Sequence, residues 1–146
     1  MLRAGVRTVK VAPAMRVALV LVAALAATGC FGRRYPGLME KHLEVLGLYA
    51  AKLEALAYDE RTVPAQDWGE FTYPLERARE FARVAQDRYP DRPSLRAFSA
   101  ALDAYGALVA DPAVLSSEQA GATVAARVTA FRTAAATARA ALEQGS

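Results

Sequence analysis

Apolar residues return along this chain at alternating intervals of three and four, the spacing of one face of an α-helix. In residues 36–61, Met39, Leu43, Leu46, Ala50, Leu53 and Ala57 keep that interval, and Leu38, Val45, Tyr49 and Leu56 widen the stripe. Thr62-Val63-Pro64 ends this first helix. A second stripe, Leu75, Ala78, Phe81, Ala82, Ala85 and Tyr89, predicts a helix that begins at Pro74, a residue suited to a first turn, and stops before Pro90. Asp91-Arg92-Pro93-Ser94 leads into a third, with Leu95, Phe98, Leu102, Tyr105 and Val109 on one face and Asp111-Pro112 at its end. Gly106 lies inside it, where it would admit a close approach by another backbone.

The fourth helix is predicted to open at Ser116, because Ser116 and Gln119 have the spacing of a capping box. Gly121, Val124, Val128, Phe131, Ala135, Ala138 and Leu142 then form its stripe. Alanine fills 11 of the 22 positions in residues 120–141, which makes this helix strong by propensity and thin in cross-section. No stretch alternates as a strand would. Short links between amphipathic helices favour antiparallel neighbours, so the expected fold is all-α, a four-helix up-down-up-down bundle over residues 36–146. The longest connection, residues 63–73, is read as a loop.

Residues 1–29 follow a different pattern. Arg16 supplies a positive charge, residues 17–27 are apolar without interruption, and Ala27-Thr28-Gly29 brings small residues up to Cys30. A positive start, a short apolar core and a small-residue end describe a secretory signal peptide, expected as a helix ahead of the bundle. Met15 would serve as its true start, since the 14 residues before it add charge and Pro13 but nothing that export requires. A membrane-spanning anchor is the rival reading. The uncharged run, residues 17–32, is 16 residues long, short of the roughly 20 that a spanning helix needs.

Leu25-Ala26-Ala27-Thr28-Gly29-Cys30 resembles the lipobox of bacterial lipoproteins. Thr28, Gly29 and Cys30 match the family pattern, and Ala27 stands where the family prefers leucine. The resemblance covers the leader alone. It implies that Cys30 becomes the mature N-terminus, that its sulfur carries a diacylglyceryl group and that its amine carries a fatty acyl chain. Residues 30–35 would then be a short lipidated tether, with Arg33 and Arg34 beside anionic headgroups. Phe31 takes the position where aspartate marks inner-membrane retention in Gram-negative cells, so the outer membrane is the expected address there. As the sole cysteine, Cys30 has no partner for an intramolecular disulfide.

The leader also changes the charge picture. The chain sums to +3, but residues 1–29 hold Arg3, Arg7, Lys10 and Arg16 and no acid. After them stand 14 basic and all 15 acidic residues, a net charge of −1. A nearly neutral body lacks the electrostatic footprint of a nucleic-acid binder.

Catalytic and cofactor patterns are not found. His42 is the sole histidine and borders the first stripe. A Cys-x-x-Cys-His haem motif is missing, the fourth helix offers no Met or His as an axial ligand, and a di-iron site would need two Glu-x-x-His motifs. No Gly-x-Ser-x-Gly elbow accompanies His42. Asp67 and Glu70 lie near Trp68 in a sugar-binding style of composition, but no spacing singles them out as a carboxylate pair. The expectation is therefore no enzyme, no cofactor and no metal.

Two surface features remain. Arg77, Arg79, Arg83, Arg88, Arg92 and Arg96 form a candidate anion patch, although Glu76, Glu80, Asp87 and Asp91 are interleaved and favour a solvated, ion-paired face. Trp68, Phe71 and Tyr73 are a candidate partner surface, with the competing reading that the rings plug one end of the bundle. The functional expectation is a lipid-anchored cell-envelope protein that reaches the membrane through acyl chains on Cys30. It would act as a non-catalytic interaction or scaffold component with a protein partner in the envelope. The alternative is a small-ligand carrier or sensor with its ligand between helices.

Overall fold

In a computed structural model, the backbone is described for residues 13–144 and side chains for residues 34–144. The expected signal peptide and its lipidation site, Cys30, fall outside the residues whose side chains are described. The chain divides into two units, and the second, Pro36–Ser146, is the bundle. Four helices make up the described fold: α1 (Pro13–Tyr58), α2 (Gly69–Arg88), α3 (Pro93–Leu108) and α4 (Ala120–Gln144), with short 3₁₀ turns at Ala65–Asp67 and Pro112–Ser116. No strand occurs among the described residues, and the fold is all-α as the periodicity predicts. The predicted tether, residues 30–35, carries helical backbone within α1. No helix among the described residues is long and apolar enough to cross a membrane.

The stripes read from the sequence are the core. Met39, Leu43, Leu46, Ala50 and Leu53 are fully buried, as are Phe98, Tyr105, Val124, Val128 and Ala138. Ring contacts fix the register of the helices. His42 meets Phe81 at 5.0 Å and Tyr49 meets Phe71 at 5.9 Å, so α2 descends as α1 ascends. Phe81 meets Phe98 at 5.8 Å while Tyr105 reaches the Phe71 carbonyl, which makes α3 antiparallel to α2. Tyr105 lies 5.4 Å from Phe131, and Arg127 reaches back to Ala107, so α4 runs against α3. Each helix therefore opposes its predecessor.

Exposed ion pairs join neighbouring helices: Lys52–Glu70 (2.6 Å) between α1 and α2, Arg132–Glu54 (2.7 Å) and Arg139–Glu40 (2.8 Å) between α4 and α1. Pairs this exposed contribute about 0–1 kcal/mol each, so they tune register while the apolar seams hold the bundle.

Two helix starts and the surroundings of one glycine depart from the sequence expectation. α2 begins at Gly69, five residues before Pro74, which lies inside the helix. Phe71 explains the extension: as part of the first turn it drops into the core, and that burial outweighs the one backbone bond Pro74 cannot donate. Ser116 does not cap α4. It ends the 3₁₀ turn, whose start is capped by Asp111 accepting from the Ala113 N–H at 2.8 Å, and α4 starts at Ala120. Gly106 faces the Arg79 guanidinium instead of another backbone: a Cβ there would lie 2.8 Å from Arg79 Nη2.

α1 closes with a Schellman turn. Arg61 N–H bonds the Leu56 carbonyl at 2.8 Å and Glu60 N–H bonds that of Ala57 at 3.4 Å, with Glu60 at φ 53°. Glycine holds that left-handed position without a Cβ penalty. Glu60→Gly should therefore stabilise the bundle by about 0.5–1 kcal/mol after the entropy it adds to the unfolded chain. A thermal melt that moves down instead of up would count against strain at this turn.

Candidate functional site

The residues that widened the first stripe do not all reach the core. Leu38 is 39% exposed, and Val45 and Tyr49 are half-buried. They face α2 where Tyr73, Pro74 and Arg77 come alongside, and the two helices leave between them an open groove of about 370 Å³. Lys41 and His42 complete its walls. The size is within the range of small-molecule sites, about 300–1,000 Å³.

The groove has two ends. By the register above, Tyr49, Tyr73 and Pro74 lie together at one end with Val45 next to them. Lys41 and His42 lie towards the other, Arg77 stands between the two ends at the level of Val45, and Leu38 extends the wall past Lys41. The lining contains no acid. Neither Lys41 nor Arg77 has an ion-pair partner among the described residues, whereas Lys52, Arg83, Arg132 and Arg139 all do. Glu80, the acid whose charge Arg77 feels, is already held by Arg83 through two hydrogen bonds of 2.8 and 3.1 Å.

His42 forms the inner wall. Its ring packs on Phe81 and, at 6.4 Å, on Phe98. Burial holds its pKa below the ordinary 6.5, and the Arg77 charge pushes the same way. The fold therefore prefers the neutral imidazole. The unfolded chain takes up the proton first, so His42's contribution to stability is intact above pH 6.5 and declines as pH falls below it. Lys41 and Arg77 are the other charged groups lining the same groove. The midpoint of urea unfolding should drop between pH 7 and 5 by more in the native chain than in His42→Gln. Parallel pH profiles would show that His42 does not carry the effect.

The aromatic trio separates. Trp68 and Phe71 are buried at 7% and 1% exposure and only Tyr73 is open, at 62%. Two of the three rings are core, so Tyr73 alone is left as open aromatic surface. Trp68 stacks against Phe71 at 5.3 Å and donates its indole N–H to the Val109 carbonyl at 3.0 Å. Val109 ends α3, where carbonyls have no helical donor, and Arg127 serves the Ala107 carbonyl two residues earlier at 3.0 Å. Tyr105, buried nearby, donates to Phe71 O at 3.1 Å, and desolvation raises its pKa. These are the bonds of a closed corner.

The six arginines have different surroundings. Arg77 belongs to the groove. Arg83 is held between Glu80 and Asp87, Arg79 lies 4.0 Å from Asp103, and Arg92 stands over the Tyr89 ring at 5.9 Å. Arg88 also has a partner, and Arg96 is exposed in the first turn of α3. Among the described residues no group of three or more His, Cys, Asp or Glu could hold a metal ion, and no buried side-chain N or O lacks a partner.

Sequence reasoning missed Lys41, Val45 and Tyr49 as site residues. A second apolar row beside the main stripe, with a lysine in its midst, was the available signal. No protein-family model, curated protein or solved structure matches the chain.

Proposed function

We propose that this chain is a lipid-anchored cell-envelope protein whose helical body acts by binding, without catalysis, and that the groove between α1 and α2 is where it binds. The attachment rests on the lipobox resemblance at Cys30. The binding role rests on one observation, an apolar groove of ligand size left open between two well-packed helices. A scaffold that offers Trp68, Phe71 and Tyr73 to a protein partner loses two of its three rings to the core, so the small-ligand carrier or sensor is the better-supported form of the reading. In a Gram-negative cell the residue after Cys30, Phe31, favours the outer membrane.

A neutral, environment-sensitive fluorophore tests the groove. Residues 30–146 with Cys30→Ser, the whole chain after the leader, would first be shown to melt cooperatively by far-UV circular dichroism. N-phenyl-1-naphthylamine should then bind at one saturable site. Val45→Asp, which places a charge on the groove wall, should weaken that binding at least tenfold, and exposed Tyr73→Ala should weaken it without changing the melt. Undiminished binding in both variants would remove the groove from the function.

A further inference from the structure

The groove pairs an apolar end with two cations, Lys41 and Arg77, that form no ion pair among the described residues. We infer that its ligand is a fatty acid: a single acyl chain lying along Val45, Tyr49, Tyr73 and Pro74 with its carboxylate between Lys41 and Arg77. This inference rests on the binding reading above and names the ligand class for the same groove.

Three observations converge on that chemistry. The first is charge. A cation beside apolar surface is ordinarily neutralised by a neighbouring acid, as Lys52, Arg132 and Arg139 are between the helices of this bundle. Lys41 and Arg77 instead line a groove without a single acid, so an anion is the complement they lack. Arginine offers a planar fork that matches a carboxylate, and lysine adds a mobile point charge.

The second is shape. Leu38 and Tyr49, the outermost lining residues of α1, stand 11 residue steps apart on the helix, which is about 16 Å at 1.5 Å per residue. A groove of that length and about 370 Å³ suits one extended chain and is too small for a two-chain lipid. Each methylene moved from water into it contributes about 0.8 kcal/mol.

The third is polarity. Tyr49, Tyr73 and Pro74 form an end of the groove without charge, and both cations lie on the Leu38 side of it. The head-to-tail order of the groove follows directly from the antiparallel register.

Displacement of N-phenyl-1-naphthylamine from the same Cys30→Ser chain tests the inference, with twelve-carbon ligands kept below their micellar concentrations. Dodecanoate should displace the probe at a concentration at least tenfold lower than dodecanol and lower still relative to dodecyltrimethylammonium. Lys41→Ala with Arg77→Ala, both exposed positions, should erase that advantage, read as the ratio of dodecanoate to dodecanol displacement within the same variant. If the probe binds and all three ligands displace it equally, or the double variant keeps the dodecanoate preference, the fatty-acid inference is overturned and the groove reading stands. Dodecyl phosphate displacing at lower concentration than dodecanoate overturns the carboxylate assignment. If the probe does not bind at all, both readings fall together.

Discussion

Trp68→Ala is expected to lower the stability of the bundle by about 3–5 kcal/mol, the range for removing a large buried aromatic side chain. The indole is 7% exposed and packs on Phe71, which is itself in edge contact with Tyr49. Its removal leaves a hole where the 3₁₀ turn, the start of α2 and the end of α3 meet. It also strips the Val109 carbonyl of its donor at a helix end that has no intrahelical substitute. Against a typical domain stability of about 5–15 kcal/mol, such a loss leaves the fold marginal. Trp68→Phe keeps most of the ring and gives up the hydrogen bond, so it should cost distinctly less, about 1–3 kcal/mol. Urea unfolding followed by far-UV circular dichroism measures both, since the chain's only tryptophan is gone from each variant. A Trp68→Ala chain within 1 kcal/mol of the parent, an order-of-magnitude threshold below the cavity range, would mean that this corner is not what closes the bundle.

Cys30→Ala has the largest effect expected in the cell. If Cys30 carries the acyl chains, alanine there removes the sulfur that receives the first of them and the cleavage that exposes the amine for the next. One acyl chain gives marginal membrane attachment and two or three make it effectively permanent, so the change is close to all-or-none. Metabolic labelling with a radioactive fatty acid should vanish, and the chain should persist at the size of the uncleaved precursor. Size and label are the informative readouts, because an uncleaved apolar leader can itself keep the precursor with membranes. Labelling that survives Cys30→Ala would refute the lipoprotein reading.

These two residues show how differently sequence and fold speak. Around Cys30 the information is local and chemical: a positive residue, an apolar run, small residues and a thiol, with no tertiary partner needed to interpret them. Trp68 is the opposite case. In the sequence it belongs to an aromatic, polar stretch between helices, which reads equally as an exposed surface or as a plug. Only the end of α3, more than 40 residues away, decides the matter, by presenting a carbonyl to the indole N–H. Phe71 tells the same story from the helix side. Pro74 marks a helix start by local preference, and core burial of Phe71 draws the start back to Gly69. Ser116 and Gln119 have capping spacing, yet the chain there belongs to a 3₁₀ turn that Asp111 caps first.

The groove was half legible. Leu38, Val45 and Tyr49 are visible in the sequence as a second apolar row on the first helix, and Arg77 as one arginine among several. Whether such a row is buried depends on how far round the neighbouring helix reaches, and no residue of α1 encodes that. The sequence by itself determined the four helices and their core stripes, because each depends on spacing along the chain. The tertiary structure alone decided which aromatics close the bundle and which cations go unpaired. It also decided that α1 and α2 part over Val45 and Tyr49, since those outcomes depend on partners that meet only when antiparallel helices come into register.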